Sequence, residues 1–291
     1  MDSFIEHIGK LAVKSILYEV SATPKPGLVD RCNNGAHNDM GFFTFIDSIV
    51  SLSDSFKEFA RIGFRKSGEP PQSIFASLQR YGKDVEQDMF KSTGGVNTHK
   101  GTVFLCGLIC AAAGLLHKQG EITIENICSV IASMCTDLCG NAFQGIKHKK
   151  QPTKGEMVYI AYGLTGIRGE AESGLKTVRQ VSMPVLEGLL DTGICINDIL
   201  VHTLINLIAK TADTNIYARH GHEAALYARD QAEVALSLGG MLTPEGRAYI
   251  DKMDHDFISR MISPSGSADL LAATYLLHAL EAEHVNYTGI R

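Results

Sequence analysis

The apolar positions of this chain recur with a helical period almost from end to end. Ile5, Ile8, Leu11, Ala12, Ile16 and Leu17 fall near one face of a first helix. The same spacing predicts further helices over about 40–66, 71–90, 101–118, 123–139, 155–163, 170–191, 197–210, 222–238, 244–262 and 267–284. Alternating apolar and polar runs of the kind a strand needs are scarce, and most of the eight prolines stand between the helical stretches. No repeat, low-complexity tract or long linker interrupts the series. The expectation is all-α, with a single multi-helix domain over residues 1–291.

Five connections are rich in Gly, Asn, Asp, His and Arg: residues 19–40, 92–101, 165–174, 211–221 and 263–272. An inert helix–helix turn does not need such side chains. Because a bundle can gather helix ends at one mouth, the expectation is an active site built from these Gly/Asp/Asn-rich inter-helix loops.

The first loop contains Thr23-Pro-Lys-Pro-Gly-Leu-Val-Asp30. Two prolines stiffen it and Gly27 permits a turn, so Lys25 and Asp30 would be held in fixed places. Glu19 ends the preceding helix, and His37 and Asp39 open the next, with Asp39 suited to its first turn. Five ionisable groups within about two dozen positions exceed what a stiff, capped connection requires. The second loop reads Ser92-Thr-Gly-Gly-Val-Asn-Thr-His-Lys-Gly101. Gly94 and Gly95 can bring backbone N–H groups up to a ligand, and Asn97 or Thr98 can cap the next helix. Lys100 adds a point charge for phosphate. A capped helix start with a solvated lysine describes the same residues equally well, and the spacing matches neither G-x-x-x-x-G-K-[ST] nor G-x-G-x-x-G.

In the third loop Arg168 can fork onto phosphate. Glu170 and Glu172 are two apart and cannot share a helical face, so Glu170 is favoured for chemistry and Glu172 for capping or solvent. Acids in a first helical turn explain both as well. The fourth loop places Asp213 and Asn215 two apart, followed by Arg219, which suits either a hard cation such as Mg²⁺ or an Asx-type turn. The fifth sets Ser265, Gly266 and Ser267 ahead of Asp269, as an anion-binding helix start or a simple cap.

Composition narrows the classes. A net charge of -5 argues against generic nucleic-acid binding, and 45% apolar with 20% charged residues is ordinary for a soluble protein. The seven cysteines are odd in number and form no C-x-x-C. Cys106/Cys110 and Cys135/Cys139 are i,i+4 pairs within apolar helical stretches, expected as buried free thiols in a reducing compartment. The N-terminus is amphipathic with no signal-peptide core, and the apolar run Thr102–Leu116 is shorter than the roughly 20 residues a membrane span needs. The expectation is a cytoplasmic protein without membrane or nucleic-acid partners. A homo-oligomer is compatible with the sequence. Cations, backbone donors and carboxylates in such a mixture suit a metal-bound polyphosphate beside an acid/base centre, with chemistry at a sugar carbon.

Taken in order, the segments EVSATPKPGLVD, GAHNDM, TGGVNTHKG, RGEAESG, DTN and SPSGSADLLA resemble the triphosphoribosyl-dephospho-CoA synthase family, which serves citrate lyase and, in a related branch, malonate decarboxylase. The resemblance runs from Glu19 to Ala272. It implies an all-helical enzyme that displaces adenine from ATP and links the freed ribose carbon to a hydroxyl of 3′-dephospho-CoA. The product would pass to a transferase acting on an acyl carrier protein. The resemblance further implies Asp30, Asp39 and Glu170 as catalytic carboxylates, and Lys25, Lys100, Arg168 and Arg219 as phosphate ligands. Asp213 and Asp269 would hold Mg²⁺–triphosphate. Glu19, Gly27, His37, Gly94, Gly95, Asn97, Thr98, His99, Glu172, Asn215 and Ser267 would surround the substrates. One departure is Pro264-Ser265-Gly266-Ser267, where the family pattern leads one to expect Pro-Gly-Gly-Ser. Serine there would be strained only if its φ were positive. Two other classes fit the same loops: a metal-dependent N-glycoside hydrolase of adenine nucleotides, and a non-catalytic nucleotide- or CoA-binding helical module.

Overall fold

The computed structural model describes residues 2–146 and 149–288, and among them every regular element is helical. α1 (Asp2–Ser21), α2 (Phe42–Arg65), α3 (Pro71–Ser92) and α4 (Lys100–Gln119) form the first half. α4 is buried almost continuously from Thr102 to Leu116. By length and composition it could cross a membrane, but 78% of its apolar window is buried inside the protein. Its apolarity is that of a central core helix, enclosed on every side rather than along one stripe. The amphipathic α2 lays Ile49, Leu52, Phe56, Phe59 and Ala60 against it. Two glycines set the distance between them. A Cβ on Gly63 would collide with the Ala111 carbonyl, and one on Gly114 with the Ala60 carbonyl, so the two backbones touch.

The second half comprises α5 (Ile124–Met134), α6 (Leu138–Phe143), α7 (Lys154–Tyr162), α8 (Gly166–Glu172), α9 (Met183–Leu190), α10 (Ile196–Lys210), α11 (Thr214–Ser237), α12 (Pro244–Ser259) and α13 (Ser265–Thr288). α13 packs against α1, α4 and α10, and joins the halves into one apolar core.

Two helices expected as continuous are broken, and a third is longer than expected. The 123–139 stretch divides into α5 and α6 at Asp137, which adopts φ 57. Cys135 and Cys139 therefore do not share a helix, and Cys139 is only half-buried, whereas Cys106 and Cys110 are buried thiols as expected. The 170–191 stretch divides at Leu175, also left-handed at φ 56, and resumes as a π-helical turn over Val178–Ser182 that runs into α9. Leu175 is fully buried, so core packing holds a conformation that its backbone disfavours by about 1–2 kcal/mol. α11 begins eight residues earlier than expected, at Thr214, and kinks at Gly221, where φ is 80. In the first two cases tertiary packing overrides a periodicity that the sequence carries without interruption.

Candidate active site

Glu19, in the last turn of α1, accepts a hydrogen bond from the Lys25 ammonium, and both side chains are buried. The loop that follows folds around two carboxylates. Asp30 Oδ2 accepts from the Lys25 N–H at 3.2 Å, and its Oδ1 accepts from the N–H groups of Cys32 at 2.7 Å and Asn33 at 3.0 Å. Asp254 of α12 accepts from the Gly27 N–H and from Asn33 Nδ2, each at 2.9 Å. Gly27 has φ 69, and a Cβ there would collide with the Ile262 carbonyl, so no other residue fits. His37 Nε2 meets the buried Ser263 hydroxyl at 2.9 Å. Asp254 and Ser263 were not legible as site residues, because a carboxylate inside an amphipathic helix and a serine at its end read as surface and cap.

The ends of α1, α4, α11 and α13 then converge. Asp213 caps α11 through the Asn215 N–H at 3.0 Å and also accepts from the Ser267 N–H at 2.9 Å and hydroxyl at 3.2 Å. One carboxylate thus ties two helix starts together. Asp269 Oδ1 accepts from the Thr102 hydroxyl at 2.6 Å, at the N-terminus of α4. Gly101 makes room for it, since a Cβ would collide with Asp269 Oδ2. Burial raises the carboxyl pKa of Glu19 and of Asp213. It pushes Asp269 up to about 7, with the negative charges of Glu19 and Asp213 adding to the shift. The buried Glu19 and Asp213 and the half-buried Asp269 therefore share their surroundings with one buried ammonium, Lys25, an imbalance that a bound cationic or hydrogen-donating group would relieve.

The second loop contributes differently from its expected role. Gly94 and Gly95 have φ 65 and 93 with open space beside them, and the Gly95 N–H donates to the Phe90 carbonyl at 2.7 Å. They terminate α3, and the Gly95 N–H is not available to a ligand. Asn97 Oδ1 accepts the Lys100 N–H at 3.2 Å, as a helix start would have it. The Lys100 ammonium lies 2.8 Å from Glu86 of α3. His99 is buried against Phe45, edge to face with centroids 4.8 Å apart. Thr98 donates to the Ser48 hydroxyl at 2.8 Å, and Ser48 Oγ lies 2.8 Å from His99 Nδ1. When Ser48 is the donor, the imidazole proton sits on Nε2, which has no partner among the described residues. Desolvation, with the Lys25 ammonium nearby, pushes His99 down to about 3, so the ring is neutral.

Residues 5–287 match the family model for the ATP:dephospho-CoA triphosphoribosyl transferases. A Vibrio cholerae protein named as a probable 2-(5″-triphosphoribosyl)-3′-dephosphocoenzyme-A synthase is 39% identical over 274 residues, 94% of this chain and 88% of the relative. The 2-(5″-triphosphoribosyl)-3′-dephosphocoenzyme-A synthase of Pectobacterium atrosepticum is 39% identical over 277 residues, 95% of this chain and 90% of its own. The chain belongs to this transferase family. Its EVSATPKPGLVD, TGGVNTHKG, DTN and SPSGSADLLA segments supply Glu19, Lys25, His99, Asp213 and Asp269 to the convergence just described.

The RGEAESG segment has another setting. Glu170 Oε1 accepts the N–H groups of Thr177 at 2.8 Å and Val178 at 3.2 Å, bracing the π-helical turn. Arg168 lies over the Phe143 ring, 5.7 Å from its centroid, and Glu172 faces Cys139. Gly166, at the start of α8, abuts Thr214 beside Asp213, so this motif borders the cluster. Asp39 is 66% exposed and stands 3.9 Å from His37 Nδ1. Ser265 has no positive φ, so the departure from the family's expected glycine carries no strain. Both oxygens of Asp213 already accept hydrogen bonds, and no group of three or more His, Cys, Asp or Glu side chains among the described residues is placed to hold a metal ion.

Proposed function

We propose that this protein transfers the triphosphoribosyl group of ATP to 3′-dephospho-CoA, with Asp269 as the group that takes the acceptor's proton. The bond between the ribose C1′ and adenine N9 breaks, and adenine leaves with its electron pair. The acceptor ribose hydroxyl oxygen bonds to C1′ and loses its proton to Asp269. The net proton is the one that adenine gains on departure, and the triphosphate stays uncut on the product. A carboxyl near pH 7 is matched to this task, being substantially ionised yet basic enough to accept a proton. The fields of Glu19 and Asp213 favour positive charge on the ribose as it develops. With Ser48 as the donor to Nδ1, the neutral His99 carries an unpartnered Nε2–H, a hydrogen-bond donor close to Lys25 and suited to the departing base.

The observation that carries this proposal is the convergence of four family motifs on one buried, carboxylate-rich mouth. It also moves the base away from the residues the resemblance suggested. Asp30 already accepts three backbone N–H groups, Glu170 accepts two, and Asp39 is largely in solvent. We propose that Mg²⁺ enters as the ATP complex and is part of the substrate. The product is suited to a transferase that acts on an acyl carrier protein, in the cytoplasm where both substrates reside.

The test incubates the protein with ATP, Mg²⁺ and dephospho-CoA and follows adenine by chromatography. Adenine that appears only with dephospho-CoA is the expected result. ADP or AMP in place of adenine would exclude pentosyl transfer, and adenine without the acceptor would indicate hydrolysis.

A further inference from the structure

A cleft of about 580 Å³ opens beside the cluster, bounded by Ala36–Asp39, by Lys154 at the start of α7, by Ala218–His220 of α11 and by Met261. Its volume is in the range of organic-ligand sites. Lys154 and Arg219 are its two permanent cations, with His37 and His220 beside them and Asp39 as the acid at its rim.

Both cations are free to meet an anionic ligand in the cleft. Among the described residues neither has a carboxylate within ion-pair distance. Lys25 is held by Glu19, Lys100 by Glu86 at 2.8 Å and Lys149 by Glu156 at 2.9 Å. Arg168 lies against Phe143. The backbone also directs Arg219. The kink at Gly221 separates residues 214–220 from the rest of α11, and His220 Nε2 donates to the Met261 carbonyl at 2.8 Å. Met261 itself stands at φ 57, a conformation a non-glycine residue keeps only when its surroundings impose it. The Arg219 charge reaches His37 and works, together with burial, to lower that imidazole's pKa. His37 in turn is joined to Ser263, just before α13 and its Asp269.

We infer that this cleft is a polyphosphate subsite, in which the Arg219 guanidinium and the Lys154 ammonium hold the di- or triphosphate of a nucleotide substrate next to the carboxylate cluster. Arg219 supplies planar, paired donors, and Lys154 supplies a mobile charge that can follow a chain of phosphates. The inference rests on the transfer reading for the identity of the nucleotide, and on the unpaired cations and the cleft for the chemistry.

Arg219→Gln, Lys154→Gln and the double variant test it, with Lys91→Gln as a control for loss of surface charge. Inorganic tripolyphosphate titrated calorimetrically into the full-length protein should bind about tenfold or more weakly to Arg219→Gln, and weaker still to the double variant. Lys91→Gln should match wild type, and melting temperatures should agree across the set. In the adenine assay, KM should rise about tenfold for one substrate with kcat little changed. A rise for ATP assigns the cleft to the donor's triphosphate, and a rise for dephospho-CoA to the acceptor's diphosphate. Unchanged tripolyphosphate binding and unchanged KM values in the double variant would overturn the subsite, even if wild type releases adenine. If wild type releases none, the transfer reading fails alone, and weaker tripolyphosphate binding by Arg219→Gln still supports the subsite.

Discussion

Asp269 and Gly101 make one unit at the scale of single residues. An alanine inside a helix is ordinarily about 1 kcal/mol better than glycine. At position 101 the added methyl would meet the Asp269 carboxylate, so Gly101→Ala should displace the base while leaving helix α4 intact. The expected outcome is a loss of about 100-fold or more in kcat with unchanged circular dichroism, close to that of Asp269→Asn. Gly101→Ala retaining wild-type turnover would show that the carboxylate position is immaterial. Lys25 makes a complementary case. Lys25→Met leaves Glu19 buried without its partner, a change that should cost about 3–5 kcal/mol in denaturant unfolding. Lys25→Met with Glu19→Gln should recover most of that, since the pair then carries no unpaired charge.

Single elements show where the pattern of residues stops informing. The apolar period locates α1 to α4 within a few residues, because each buries one continuous face. It passes without a mark through Asp137 and Leu175, because a left-handed residue changes the chain's direction without changing which residues are apolar. The site divides the same way. Lys25, Gly27 and Asp30 stand out by their prolines and glycine, while Asp254, Ser48 and Ser263 are polar residues in or next to helices and acquire meaning only from partners far away in sequence. Asp254→Ala should therefore behave as a loop mutation. It removes the acceptor for Gly27 N–H and Asn33 Nδ2, and should cost about 2–3 kcal/mol and raise KM without altering the pH profile of kcat. The kink predicts a different signature. Gly221→Ala, with φ 80 and only the Tyr162 hydroxyl at 3.9 Å from the added methyl, should cost about 1–2 kcal/mol from backbone strain alone and weaken tripolyphosphate binding through Arg219.

For the molecule as a whole, the carboxylate cluster makes stability depend on pH with a sign opposite to that of an ordinary salt-bridged acid. Asp269 is raised to about 7 in the folded protein, against about 4 in an unfolded chain. Below about pH 4 both states hold the proton, and Asp269 adds no pH dependence. Between about 4 and 7 the unfolded chain releases its proton while the folded protein keeps it, so stability falls as pH rises. Above about 7 both have lost it, and the full penalty, on the order of 4 kcal/mol at about 1.4 kcal/mol per pKa unit, is present. Glu19, Asp213 and Asp254 are raised by burial and add in the same direction, while the lowered Asp198 and Asp256 oppose it. The difference between variants isolates Asp269 from these. Asp269→Asn should match wild type in denaturant unfolding at pH 4 to within about 1 kcal/mol and exceed it by several at pH 8, while losing turnover at both. An active site that keeps a carboxylate poised for proton transfer is less stable than its amide replica wherever the unfolded chain would ionise that carboxylate. Equal stabilities for wild type and Asp269→Asn at pH 8 would mean that the folded protein does not resist ionising it, and the proposed base would lose its physical basis.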